Sequence, residues 1–285
     1  MHRLVRYVRF SVDPFDSEPQ QGFNAYASRP TSHGLAIFLE LGVKVSGPVD
    51  PTSGFVIDVG DIDQAVRRHV VPLFGDHIQN RYGRRLSIGM PDVVELLRLA
   101  WEGLKDRLGA STLAALRLKI NPFRCVEIRM EDLDMVYYSE KFEFAAMHKL
   151  WNPALSEHQN LALFGKCANP SGHGHNYLME VTVKIPSGHA FDAIGLSRVV
   201  DERFIQVVDH TNLNADVPHF HQVNPTMENI AQFAWQGLEG RFSGADLYCV
   251  TIWESERTSC SYYGGGEERD SRRFKDVPTF PAPVQ

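Results

Sequence analysis

The sequence predicts an α+β protein made of two tandem units, each about 130 residues long. Three observations predict it. The first is internal repetition. Ala100-Trp101-Glu102-Gly103-Leu104 returns as Ala234-Trp235-Gln236-Gly237-Leu238, and Gly75-Asp76-His77 stands where Val208-Asp209-His210 stands. Ser32-His33-Gly34-Leu35 aligns with Gly172-His173-Gly174-His175, so three matches keep one order at offsets of 133 to 140 residues. The second is a pattern that alternates, turns helical and alternates again across the second half. The third is composition: 285 residues, 43% hydrophobic and 22% charged, describe a globular chain long enough for two ordinary domains.

The elements of the second half follow from their periods. Phe142, Phe144, Ala146 and His148 fall on one face of a strand, and Tyr177, Met179, Val181 and Val183 on one side of another. Leu196, Val199, Val200, Phe204 and Val207 recur at helical spacing. A second helix starts after Asn224-Pro225-Thr226, with Thr226 as cap and Ile230, Phe233, Ala234 and Leu238 on its apolar face. Leu247 to Glu254 and Ser259 to Tyr263 read as closing strands. The order is strand, strand, helix, helix, strand, strand. These readings give a first domain over 1–134, a second over 135–266 and a polar tail over 267–285.

A formal charge of −6 without a concentrated Lys/Arg run argues against nucleic acid as a partner. No stretch approaches the roughly 20 apolar residues of a membrane span. The opening residues hold no continuous apolar segment, so a secretory signal is not expected. Cys125, Cys167, Cys249 and Cys260 form no C-x-x-C pair and read as reduced thiols, which fits a cytoplasmic enzyme.

The segment from Cys167 through Gly172, His173, Gly174 and His175 to Tyr177 carries the strongest chemical signal. On a strand, His173 and His175 share a face roughly 7 Å apart, close enough to converge on one ion. The glycines between them leave the approach uncrowded, and His148 ends a strand of its own and makes a natural third ligand. Three neutral imidazoles and one open position match catalytic zinc, whereas structural zinc takes four protein ligands. An exposed surface pair is the alternative for an isolated H-x-H. Cys167 is a candidate base, since a thiol near a metal and a histidine has its pKa lowered; a small buried apolar residue is the alternative. In Asp209-His210 a carboxylate can orient an imidazole. Glu254, near the end of an apolar strand, needs a partner such as the N–H groups of a bound heterocycle, or else solvent. His158, His189, His219 and His221 read as solvated loop residues. The first copy has Pro14 and Leu35 where the second has His148 and His175, no cysteine shortly before His33, and Met130 in the place of Glu254. It reads as a degenerate copy kept for architecture.

Taken together, the segment from about 139 to 264 resembles the 6-pyruvoyltetrahydropterin synthase family, zinc lyases of the T-fold superfamily. The resemblance rests on Phe144-Ala-Ala-Met-His148, Phe164 through Tyr177, Val208 through Asn214, Pro225 through Ile230, and Trp253-Glu254, all in register. It implies two T-fold units, each a four-stranded antiparallel sheet with two helices on one face, and assembly into a homo-oligomer by barrel closure. It implies Zn²⁺ on His148, His173 and His175, and Cys167 as general base with Asp209 and His210 as its relay. Glu254 would anchor the pterin ring, with Thr226 and Glu228 in the same pocket. The implied reaction converts 7,8-dihydroneopterin triphosphate to 6-pyruvoyltetrahydropterin with loss of triphosphate. The related 6-carboxytetrahydropterin synthase of queuosine biosynthesis typically sets its cysteine four residues before the H-x-H pair. Here the separation is six, although Asn224-Pro225-Thr226 is similar to that enzyme. A pterin-binding scaffold without turnover and hydrolysis by a zinc-bound water are the remaining alternatives.

Overall fold

A computed structural model of the chain describes residues 1–15 and 34–265. His33 of the repeat and the expected tail therefore lie outside the described residues. The chain divides into two compact units: Met1–Tyr138 with Ile185–Phe191, and Ser139–Lys184 with the residues from Asp192 on.

The first unit begins with β1 (His2–Val12) and β2 (Ile37–Gly47), continues through α1 (Val59–His69), α2 (Val71–Gly83) and α3 (Met90–Leu104), and ends with β3 (Thr112–Lys119) and β4 (Arg124–Arg129). The strands pair antiparallel in that order. In β2 the alternation is explicit: Leu39, Leu41, Val43 and Val45 are buried apolar side chains, while Glu40, Lys44 and Ser46 are buried polar ones. Glu40 is satisfied by Arg9 at 2.7 Å and Lys119 at 2.8 Å. Two helices were expected here and three are found. The break comes at Val70, because Pro72 in the first turn of α2 has no N–H to carry a helical ladder through. Asp76 and His77 lie inside α2, and His77 Nε2 sits 3.3 Å from Asp92 Oδ1 in the first turn of α3. Their sequence match to Asp209-His210 is not a match of conformation.

The chain continues with β5 (Met135–His148), of which Ser139 onward belongs to the second unit, α4 (Glu157–Phe164), β6 (His173–Pro186), which belongs to it up to Lys184, α5 (Ala193–Val200), α6 (Gln206–Val208), β7 (Thr211–Asn212), α7 (Leu213–Asp216), α8 (Met227–Leu238), β8 (Asp246–Ser255) and β9 (Thr258–Tyr262). The sheet order is β5-β6-β8-β9, with β7 pairing parallel to β5. Here too the expected pair of helices is an undercount. The first is interrupted by a π-helical turn over Asp201–Ile205 between α5 and α6, and the short α4, whose Leu161 and Leu163 are exposed, and the four-residue α7 have no apolar stripe to mark them. Leu196, Val200 and Phe204 are buried, whereas Val207 is 38% exposed. His219 is not a solvated residue: its ring stacks on Phe233 at 4.8 Å.

Loop order in this unit depends on one buried amide. Asn160 has no exposure. Its Oδ1 accepts from Asn152 N–H at 2.7 Å, and its Nδ2 donates to the carbonyls of Asn152, Leu155 and Ser156. An Asn160→Ala variant is expected to lose about 2–3 kcal/mol of stability, the cost of leaving buried groups unpaired. A urea titration with unchanged slope and a lower midpoint measures it.

Candidate metal centre

His148 is the last residue of β5, on the face of Phe144 and Ala146. His173 and His175 are the first and third residues of β6, so the two-residue period directs both to one side. Tyr177, next on that side, stacks on Phe144 at 4.8 Å between ring centroids and lies 5.5 Å from the His175 ring. The entry to β6 is fixed by Gly172, at φ +69°, where an added Cβ would stand 2.9 Å from the carbonyl oxygen of His148. Only glycine accepts both constraints without strain.

The Nε2 atoms of His148 and His173 are 3.1 Å apart. Two imidazoles on one tetrahedral zinc, each with Zn–N near 2.0–2.1 Å, place their nitrogens about 3.3–3.4 Å apart. His148 donates Nδ1–H to the Pro225 carbonyl at 2.7 Å, which leaves its Nε2 lone pair bare. His175 Nε2 lies 3.0 Å from Glu254 Oε1, yet it is a buried ring nitrogen without a well-aligned hydrogen bond. Ligand atoms from His148, His173, His175 and Glu254 all fall within 4.8 Å of one another. Burial holds the pKa of His148 and His175 below the ordinary imidazole value; neighbouring imidazoles add to this, and Glu254 opposes it. The rings therefore favour the neutral form that binds metals. The donor set fits a divalent cation of zinc type.

The remaining predicted residues divide. Glu254 stands among the histidines, where the sequence reading gave it to a heterocycle. Cys167 is half-buried in a 3₁₀ turn over Gly165–Ala168. Burial first, and the Glu254 charge second, push its thiol up rather than down. Asp209 accepts from Ala145 N–H at 2.8 Å and from His210 Nδ1–H at 2.9 Å, and the Ala145 bond is the leading cause of its lowered pKa. The His210 side chain is 81% exposed, and its backbone has φ +56°. The contacts of His210 run to Asp209 and to the Ala145 carbonyl, not to the histidine cluster. Thr226 caps α8 by accepting from Asn229 N–H at 3.4 Å. Glu228 is exposed in the first turn of that helix, and its charge acts on Cys260 in β9. Met130 follows the last strand of its unit, whereas Glu254 is in the penultimate strand of the other, so the two positions do not correspond.

A family model described as 6-pyruvoyl tetrahydropterin synthase matches residues 137–265. Proteins named 6-pyruvoyl tetrahydrobiopterin synthase from Homo sapiens and Pongo abelii are each 38% identical over 130 residues, covering 44% of this chain and 90% of theirs. The chain belongs to the 6-pyruvoyl tetrahydropterin synthase family. A solved structure of Caenorhabditis elegans 6-pyruvoyl tetrahydropterin synthase is 34% identical, covers 46% of this chain and 96% of its own, and superposes with a TM-score of 0.43. Every predicted site residue falls inside the segment matched to the family.

Two participants escaped the sequence reading. The Pro225 carbonyl fixes the proton on His148, and main-chain atoms leave no trace in a motif. Tyr177 was read only as a core position, yet its hydroxyl is buried without a hydrogen-bond partner, and burial, Glu254 and Cys167 together raise its pKa. Its place two residues after His175 is the signal that could have found it. Among the described residues no helix is long and apolar enough to cross a membrane.

Proposed function

We propose that the second unit is a zinc-dependent lyase that converts 7,8-dihydroneopterin triphosphate to 6-pyruvoyltetrahydropterin with release of triphosphate. The convergence of three imidazoles, one from the end of β5 and two from the start of β6, in a chain of this family, carries the reading. His148, His173 and His175 would hold the zinc. Bound there, zinc supplies Lewis-acid polarisation of the substrate side chain. Cys167 Sγ is the group that takes up protons; burial first and the Glu254 charge second raise its thiol, and a bound cation would offset the second of these. Glu254 has one carboxylate for two tasks, closing the metal site and receiving the N–H groups of the pterin. Thr226 and Glu228 belong to the same reading as pocket residues, although their described contacts are the cap of α8 and the neighbourhood of Cys260.

Asp209 holds His210 Nδ1–H, so Nε2 is the ring nitrogen left to move a proton, and it faces outward. A relay that includes His210 is consistent with a site completed by another copy of the chain, in a homo-oligomer formed by barrel closure.

The first unit is proposed as a degenerate copy of the second, over domains 1–134 and 135–266. The pairing supports duplication: the β2–β3 register shifts at Ala114, and the β6–β8 register shifts at Tyr248, 134 residues on. Trp101 and Trp235 are 6% and 7% exposed on α3 and α8. In each of those helices the residue two places after the tryptophan is a glycine that faces a helix backbone: a Cβ on Gly103 would lie 3.3 Å from His69 O, and one on Gly237 3.4 Å from Arg203 O.

The test is product analysis by mass spectrometry after incubating zinc-loaded protein with 7,8-dihydroneopterin triphosphate. A pyruvoyl product is expected. A carboxy product with acetaldehyde would move the chain to the queuosine branch, and unchanged substrate would reduce it to a binding scaffold. Cys167→Ala should lose at least about 100-fold in turnover, the scale of general acid–base catalysis, while keeping its zinc. Undiminished turnover in that variant would favour hydrolysis by zinc-bound water instead.

A further inference from the structure

A cavity of about 560 Å³ in the second unit has His148 and Gly172 in its wall and is otherwise lined by residues the metal centre does not use. None of those lining residues is acidic, in a chain whose 35 Asp and Glu outnumber its 29 Lys and Arg. Asp216 is close by, but it lies outside the lining and its Oδ2 accepts from Asn212 N–H at 2.7 Å.

The polar groups of the wall are oriented by the main chain. Asn152 Oδ1 accepts from Ala154 N–H, Asn212 Oδ1 from Asn214 N–H, and Asn224 Oδ1 from Trp151 N–H, at 3.0, 3.1 and 2.9 Å. Each of these amides has its oxygen committed, so the NH₂ end remains. The backbone of Lys149 is held on both sides by Asn214, whose Oδ1 accepts from its N–H at 2.7 Å and whose Nδ2 donates to its carbonyl at 3.0 Å. Lys149 Nζ rests 4.1 Å above the centre of the Trp151 ring, with no carboxylate partner among the described residues. The wall thus offers an ammonium and three amide donors, with no competing anion.

We propose that this cavity is an oxyanion subsite that takes the polyphosphate arm of the substrate while the remainder meets the metal centre. The proposal rests on the lyase reading for the identity of the substrate, and on the cavity alone for its chemistry. Charge-assisted hydrogen bonds from fixed donors bind phosphate oxygens more strongly than neutral ones do. Donors already held in place by the main chain lose little freedom on binding.

The probe is inorganic tripolyphosphate, titrated calorimetrically into the zinc-loaded full chain. Binding that weakens with added salt is expected. Lys149→Met should weaken it about 10- to 100-fold, the span of one hydrogen bond to a charged group. Asn152→Asp and Asn224→Asp keep the oxygen that the main-chain N–H needs, remove the NH₂ and add a negative charge. Each should weaken binding by at least about tenfold at unchanged zinc content and Tm. No binding, or equal affinity in all three variants because tripolyphosphate meets the metal alone, overturns the subsite and leaves the lyase reading standing. The variant pattern without turnover of 7,8-dihydroneopterin triphosphate supports the subsite and removes the lyase reading.

Discussion

His173→Ala is expected to take zinc out of the protein and abolish turnover with it. Its Nε2 sits 3.1 Å from that of His148, so one substitution removes half of the closest imidazole pair in the cluster. Zinc binding at structural protein sites is worth about 10–16 kcal/mol. Shared among four donor atoms, that is about 2.5–4 kcal/mol each, or roughly a 100- to 1000-fold loss of affinity per ligand. Competition with a chromophoric chelator measures the loss directly, and metal analysis after dialysis should find the variant empty where the parent is full. Folding should survive, because His173 is only half-buried and the apolar body of β6 begins at Tyr177. A variant that kept its zinc would show that His173 is not a ligand.

Gly172→Ala should damage the site without touching a ligand. The left-handed backbone at φ +69° costs a residue with a Cβ about 1–2 kcal/mol, and here that Cβ also meets a main-chain carbonyl at 2.9 Å. A carbonyl cannot swing aside as the end of a side chain can. Either β6 enters at a different angle or the end of β5 shifts, and both carry ligands. A fall in Tm of at least about 3–8 °C is expected from the backbone term alone, together with weaker zinc binding. Gly174→Ala is the control. Its nearest neighbour would be Ala146 O at 3.7 Å, ordinary contact, so its Tm and zinc content should stay close to the parent's. Equal behaviour of the two variants would refute the argument from backbone geometry.

The contrast between these glycines marks what a sequence conveys. Strand period alone puts His173 and His175 on one face, and the face of Phe144 and Ala146 leads to His148, because side-chain direction in a strand is set by residue count. The helix over Met227–Leu238 was legible for a similar reason, a regular apolar stripe behind a threonine cap. Where a side chain has length and freedom, the count gives less. Glu254 can reach either a heterocycle or an imidazole from the same Cα, and its position among the histidines depends on χ angles. His210 was harder still. An Asp-His pair gives no hint that its histidine adopts φ +56° and turns outward, since that conformation is imposed by a main-chain bond to Ala145. Asp76-His77 has similar letters inside α2, where helix geometry overrules the likeness.

The hydrogen bond from His148 to the Pro225 carbonyl has a consequence for how the site can change through time. The acceptor is a peptide oxygen, which every residue type possesses, so replacing the side chain at 225 does not delete it. The proton's address on the imidazole is written in the path of the main chain and is invisible to drift at that position. It is vulnerable to anything that moves the first turn of α8, which Thr226 caps. Loss of that cap would be felt as a tautomer problem at a histidine 78 positions earlier in the sequence.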